Sequence, residues 1–525
     1  MMKKAFKSII SLLLVTLMLI PMGIPSSAAS GAAVPTVYCQ GQGSTLVNAN
    51  GEQVYPLHLP DGGIMAIVEE CMPLFINALT KGEYDAWYDK LREEVIPLFA
   101  DIQLDNNGES VNGVHIAWGW NKNSLKGVSG VYYLTDYMFE SDWRLDPFDN
   151  ADILHAYITD IKERTGSEKV NLIGRCEGAN IVMAYLAEYG YEDINCVEIY
   201  ISPVYGMDAV GTAFSGNFDF DTASLEEWMD GYVDLGDDIL SELLYSFLSL
   251  AQSTGVLSLT GLALDVFAMK LYNEILPELL LGSFGTFPGI WAMVDAKNYE
   301  DAKEVIFGGK EDEYAGLIAK LDDYNVRVRQ RADTILQEAA SAGVKIAVFA
   351  KYGYINFPLD NSAAELSDGY VTVNASSFGA TCAPRGQILS DAYIADLTAA
   401  GNDKYLSPDS NIDASTCLFP DTTGFIKNST HVDFPNSIHV LMEKFLHSDG
   451  TMTVFSDPSY PQYMIKNEDD SISPYAGEPI EDIVQEPMSI RDIVFRFVNA
   501  LLNFIFKWLG IDIPGIVETA KGNNA

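Results

Sequence analysis

The segment Leu172-Ile-Gly174-Arg175-Cys176-Glu177-Gly178-Ala179 places a cysteine midway between two glycines. A thiolate attacks a carbonyl carbon readily, provided one neighbour takes its proton and others hold the oxygen that turns negative. The apolar run 169–173 before it has strand composition, and 179–189 after it has helical patterning. Cys176 is therefore expected at the apex of a sharp strand-to-helix turn. Side chains at 174 and 178 would collide with the neighbouring strand and helix, which Gly174 and Gly178 avoid. The helix start beneath the apex offers free N–H groups and the positive end of a dipole. The plainer alternative is a buried structural cysteine on a tight turn.

The other parts of such a site have candidates. One oxyanion donor is expected from the residue after the nucleophile, Glu177, through its backbone N–H. The second is expected from Gln40-Gly41-Gln42-Gly43, a glycine-rich stretch that follows a short β-prone run; Gln42 is the choice, with Gly43 beside it. Six histidines are present. His439 and His447 fall within or at the end of a helical run, whereas His431 lies in the loop before it and is the expected base. Asp368, in Ser367-Asp368-Gly369, is the expected orienting acid, and Asp360 is the alternative. Two features cut against the site. An ionised Glu177 would oppose thiolate formation, and a bridge between Cys39 and Cys176 would silence the nucleophile.

Strands alternate with helices over the first two hundred residues and again after 344, which argues a mainly parallel sheet covered on both faces. Strand composition occurs at 35–39, 112–120, 169–173, 196–201, 344–349, 371–373 and 425–427. Helical spacing occurs at 64–99, 149–164, 179–189 and 440–446. Between about 205 and 340 the pattern is helical, and a cap over the carboxyl ends of the strands is expected there. Residues 451–525 have linker composition and end in an amphipathic helix at 490–509, whose Arg491, Arg496 and Lys507 make it a candidate for peripheral membrane contact.

The order nucleophile, acid, histidine is that of α/β hydrolases. More specifically, the chain resembles the lecithin:cholesterol acyltransferase-like, lipase-like branch of that superfamily. Pro35-Thr-Val-Tyr-Cys-Gln-Gly-Gln-Gly-Ser-Thr-Leu46 resembles its oxyanion segment and Ser141-Asp142-Trp143-Arg144 its Tyr-Asp-Trp-Arg motif. Ser283-Phe-Gly-Thr-Phe-Pro-Gly-Ile-Trp291 resembles part of its cap, and Tyr352-Gly353 with Asp368-Gly369 its acid loop. The resemblance spans about 35–446 and implies hydrolysis or transfer of acyl groups of carboxylic esters, often lipids, with Cys176 in place of the usual serine. It implies a core at 30–204 and 341–450, a helical cap at 205–340, and no cofactor. A retired hydrolase fold that only binds lipid or another ligand is the rival reading.

Charge sets the partners. Seventy-three acidic against 32 basic residues give a formal charge of −41, which repels nucleic acid. Lys3, Lys4 and Lys7, the apolar stretch 9–20 and Ser27-Ala28-Ala29 read as a secretory signal at 1–29 and an exported protein. Export permits disulfides, and Cys382 with Cys417 brackets a loop whose closure would stabilise by roughly 3 kcal/mol. Asp409-Ser-Asn411-Ile-Asp413 alternates oxygen ligands but lacks the glycine a calcium loop needs next, so no metal is expected. The sequons Asn374-Ala-Ser and Asn428-Ser-Thr are read as incidental.

Overall fold

The computed structural model describes residues 34–41, 43–57, 70–71, 73–75, 77–78, 81–117, 137–217, 275–356, 360–433, 438–450 and 452–477. The expected signal at 1–29, Gln42, much of the expected cap and the 490–509 helix lie outside the described residues.

An eight-stranded sheet organises the chain. Its strands are β1 (Thr36–Cys39), β2 (Tyr137–Phe139), β3 (Val170–Arg175), β4 (Ile194–Tyr200), β5 (Lys345–Tyr352), β6 (Thr423–Lys427), β7 (Tyr463–Lys466) and β8 (Ile472–Pro474). The order across the sheet is β8-β7-β6-β5-β4-β3-β1-β2. All neighbours run parallel except β7 and β8. The inner strands are apolar on both faces because helices cover both faces.

Helix α1 (Tyr84–Phe99) precedes β2. Helices α2 (Pro147–Thr165) and α3 (Glu177–Tyr189) flank β3. Asp146 caps α2 by accepting from the Phe148 N–H, Pro147 fits the first turn, and Gly166 ends the helix in a left-handed conformation. After β4 come α4 (Asp208–Ser215), α5 (Tyr299–Phe307), α6 (Ala315–Arg327) and α7 (Ala332–Ser341). Leu154, Ile158 and Ile161 of α2, Val182 and Leu186 of α3, and Ile335 and Leu336 of α7 share one core with Leu172, Val197 and Val348 of the sheet. Burying each such side chain stabilises by about 1.5–3 kcal/mol. On the opposite face α9 (Ile438–Leu446) packs Leu441, Met442 and Phe445 on Ala347, Phe349 and Ile426, and α8 (Asp391–Ala399) lies in the preceding connection.

The fold departs from the sequence expectations at four places. Residues 371–373 are no strand, because Thr372 accepts from the Ala375 N–H and starts the helical turn Val373–Ser376. Of 112–120, only His115–Ile116 is a strand, with 118–120 outside the described residues. The linker reading of 451–525 fails at 463–474, since β7 and β8 there extend the sheet beyond α9. The end of the expected cap, α7 and the last residues of α6, belongs to the core layer against α3.

Sequence reasoning also missed a buried acid. Glu198, in the middle of β4, is fully buried among apolar neighbours, and neither carboxyl oxygen has a hydrogen-bond partner. Burial pushes its pKa well above the usual carboxylate range. The folded state thus holds a proton that the unfolded chain releases near pH 4, so stability falls as pH rises above that point. Glu198→Gln should stabilise the protein by about 1–3 kcal/mol at pH 8 and by almost nothing near pH 4. Urea unfolding at both pH values checks this, and an equal effect at the two would contradict it.

Candidate active site

β3 ends at Arg175, and Cys176 sits in the turn that starts α3 with φ 51° and ψ −127°. A non-glycine residue with positive φ stores about 1–3 kcal/mol of strain, which the flanking ladder must hold in place. It does so from both sides: the Cys176 N–H donates to the Tyr200 carbonyl at 3.1 Å, and its own carbonyl accepts from the Ala179 N–H at 2.9 Å. The two glycines are sterically obligatory. A Cβ at Gly178 would lie 2.1 Å from the Cys39 carbonyl oxygen, and one at Gly174 would lie 2.8 Å from the Ala179 Cα. Gly41 is a third, because a Cβ there would lie 2.9 Å from the Cys176 Cβ.

The distant parts of the chain converge on the sulfur. His431 Nε2 is 3.0 Å from Cys176 Sγ, and His431 Nδ1 is 2.8 Å from Asp368 Oδ2. Asp368 lies beyond the end of β5, and His431 beyond the end of β6. The backbone repeats the link, with the His431 N–H donating to the Asp368 carbonyl at 2.9 Å. The other carboxyl oxygen of Asp368 accepts from the Tyr370 and Val371 N–H groups at 3.0 and 2.9 Å. Asp368 is fully buried and His431 is 7 % exposed, so the relay runs in a medium where charge interactions are strong. Asp360, the alternative acid, is committed elsewhere: it caps the turn Asn361–Ala364 and meets Lys297 and Thr212.

The electrostatics favour an ion pair. Burial alone would raise the Cys176 thiol, but the His431 ring beside it, then the Arg175 guanidinium and the Glu177 backbone N–H, bring it below the ordinary value of 9.0. Burial alone would lower His431, yet Asp368 and the thiolate raise it to about 9. Thiolate and imidazolium therefore stabilise each other. Glu177 does not oppose this. Its side chain is buried, Oε2 has no hydrogen-bond partner, and burial, then the nearby Cys176 and Asp142, push its carboxyl well above the usual carboxylate range, which disfavours the charged form.

The remaining candidates are placed as follows. The Glu177 N–H faces the sulfur, and Gly41 abuts it, while Gln42 lies outside the described residues. Cys39 and Cys176 are both free, because Cys39 points into the core under α2 and α3 while Cys176 packs toward the opposite cluster. Cys382 and Cys417 are free too, so the possible bridge is not formed: both thiols pack with Tyr352, Ile412 and Tyr463 as small apolar groups. Asp413 accepts from Tyr393 and from the Ser415 N–H, and Asp409 accepts from Tyr475 and Asn411, so these carboxylates are used in structural hydrogen bonds.

Three neighbours were not anticipated. Gly41 and Arg175 lay inside motifs already singled out, and Lys351 was signalled by a lysine within an apolar strand. The segments around the site also interlock. Arg144, fully buried, forks onto Asp142 with contacts of 2.9 and 2.6 Å. A Cβ at Gly289 would strike the Trp143 carbonyl oxygen at 2.0 Å. No protein-family model matches the chain, and no curated protein does.

The midpoint of Cys176 alkylation by iodoacetamide against pH should lie below 9.0. In His431→Ala the effect of burial is no longer offset by the imidazolium, so the midpoint should move up toward or past 9.0. The rate at pH 7 should then fall at least roughly tenfold. Mass spectrometry of the Cys176 peptide against time gives both rates, and an unmoved midpoint would break the ion-pair assignment.

Proposed function

We propose that this protein is an exported α/β hydrolase with a helical cap, which cleaves or transfers acyl groups of carboxylic esters through a Cys176-His431-Asp368 triad. The observation that carries the reading is the continuous relay from Asp368 Oδ2 through His431 to Cys176 Sγ, with steps of 2.8 and 3.0 Å, set on a strand–turn–helix bend. It joins residues nearly two hundred and more positions apart, in the chain order of that superfamily.

The chemistry follows from the resting ion pair. The Cys176 thiolate attacks the ester carbonyl carbon, and the carbonyl electron pair moves onto oxygen. The Glu177 N–H, with a donor from the 40–43 stretch, holds that oxyanion. The intermediate collapses, the carbon–oxygen bond of the leaving alcohol breaks, and His431 delivers its proton to the departing alkoxide. A thioester to Cys176 remains. Neutral His431 then takes a proton from water, or from an acceptor alcohol in a dry site. The resulting nucleophile releases the acyl group, and thiolate and imidazolium are restored. Asp368 keeps the imidazole in the tautomer and orientation that both half-reactions need.

Substrate class follows from the surroundings. The Tyr370 ring lies 5.4 Å from the His431 ring and belongs to an aromatic and aliphatic cluster with Leu46, Tyr55, Trp143, Phe287 and Trp291. An apolar acyl group fits that chemistry better than a charged one. The helical stretches between β4 and β5 that precede α6 supply the cap, and residues 1–29 supply the export signal. Among the described residues no helix is long and apolar enough to cross a membrane. Peripheral contact through 490–509 stays part of the proposal.

Hydrolysis of a panel of p-nitrophenyl esters of graded acyl length, under reducing conditions, tests the reading. Cys176→Ala should lose at least about 10³-fold in kcat/KM and Asp368→Asn about 10²–10⁴-fold, while the acyl-enzyme thioester should be trapped on Cys176. Turnover unchanged in Cys176→Ala would refute the triad. Absence of turnover across the panel would instead favour a ligand-binding protein that retains the fold.

A further inference from the structure

The loop that carries His431 is held from beneath by two basic side chains. Lys351 stands near the end of β5 and is fully buried. Its Nζ donates to the carbonyls of Thr430 at 2.9 Å and His431 at 3.4 Å, and also to that of Asp433. Arg175, the last residue of β3 and the immediate neighbour of Cys176, reaches with Nη2 to the carbonyls of His431 at 3.5 Å and Val432 at 3.2 Å. All four carbonyls of residues 430–433 are thus engaged by side chains from two strands that bracket β4 in the sheet. The Thr430 carbonyl also accepts from the Asp433 N–H at 3.2 Å, and Lys351, when protonated, brings three donors on one atom.

A lone buried lysine is costly, and its cost is recovered only if its position matters. Mechanical support alone could have come from backbone or an amide. The placement of the charges suggests more, since Arg175 is chemically continuous with the nucleophile. We propose that Arg175 and Lys351 are positioning residues of the Cys176–His431 pair: Lys351 fixes the His431 loop against the sheet, and Arg175 ties that loop to the nucleophile bend while its charge favours the thiolate. The inference rests on the pairing that the proposed function also uses, and not on the choice of ester substrate.

The groups facing this floor are defined. Lys351 meets Arg175, Asp368, Asp433 and Lys466 electrostatically and lies 4.8 Å from the centre of the Tyr200 ring. Burial, then Arg175, lowers its ammonium to about 7. Arg175 faces Tyr38, Tyr200 and Cys176. Cys176 faces His431, Arg175, Glu177 and Tyr370, and burial raises the Glu177 carboxyl well above the usual carboxylate range.

The test reads the thiol directly in the full chain. The pH dependence of Cys176 alkylation by iodoacetamide is measured for Arg175→Met, Arg175→Lys and Lys351→Met, each first shown folded by circular dichroism and a thermal melt. Arg175→Met should move the midpoint up by about one pH unit, slowing alkylation at pH 6.5 roughly tenfold. Arg175→Lys should recover most of that loss, because it restores charge but not the two-carbonyl reach. Lys351→Met should slow alkylation several-fold by loosening His431. If methionine at 351 prevents folding, Lys351→Gln, which keeps two donors, is read the same way with a smaller slowing. Wild-type midpoints in folded Arg175 and Lys351 variants overturn the inference. Shifted midpoints in a protein that turns over no ester leave the inference standing and remove only the proposed function.

Discussion

The structure turns on a close approach of two backbones. Gly178, at the start of α3, passes so near the Cys39 carbonyl at the end of β1 and the Gln40 carbonyl just after it that no side chain fits between them. That contact forces α3 to begin directly under the end of β3, and the residue between strand and helix must take a positive φ. Cys176 accepts the strain and in return is thrust above the carboxyl edge of the sheet, where loops following β5 and β6 can reach it. A longer connection would relieve the backbone and lose the fixed position of the sulfur.

This arrangement solves an electrostatic problem within a strongly acidic chain. At the site itself the acids are buried or matched: burial raises the Glu177 carboxyl well above the usual range, and Asp368 is shared among the imidazole and two backbone N–H groups. Two basic side chains, Arg175 and Lys351, lie beneath the histidine loop and donate to its carbonyls. A serine hydroxyl would gain little from nearby cations, because it does not ionise at rest. A thiol does gain, since its charged form is the reactive one. The cysteine and the basic floor are thus consistent with each other.

Much of this was legible in the amino-acid sequence. Gly174 answers to its near neighbour Ala179 and Gly178 to the distant β1, but a glycine on each side of a lone cysteine between strand and helix patterning is visible in the sequence, and the inner strands betray themselves by largely apolar runs. Asp368 and His431 followed from chain order and from being polar in loops after strands. What could not be read depends on distance in space. Lys351 looks like one charge in a strand until the 430–433 carbonyls are seen around it. Residues 371–373 have strand-like β-branched composition, but the Thr372 hydroxyl captures a backbone N–H and wins locally for a helical turn. Strands β7 and β8 were hidden because 451–477 is rich in polar and turn-forming residues, and edge strands need little apolar character. The Cys382–Cys417 bridge was a compositional inference about a loop, whereas the thiols there already fill apolar space.

The reversal from β7 to β8 has a consequence for how the molecule behaves in company. A parallel sheet that simply stopped at β7 would present a row of open amides to any passing strand. Instead the chain doubles back through the tight turn 467–471, and the outermost strand ends in Pro474, which has no N–H to offer. With only three residues, the outermost strand is a poor template for addition of a foreign chain. This edge of the sheet is thus guarded against pairing between copies by its own geometry, in addition to the repulsion that the chain's negative charge supplies.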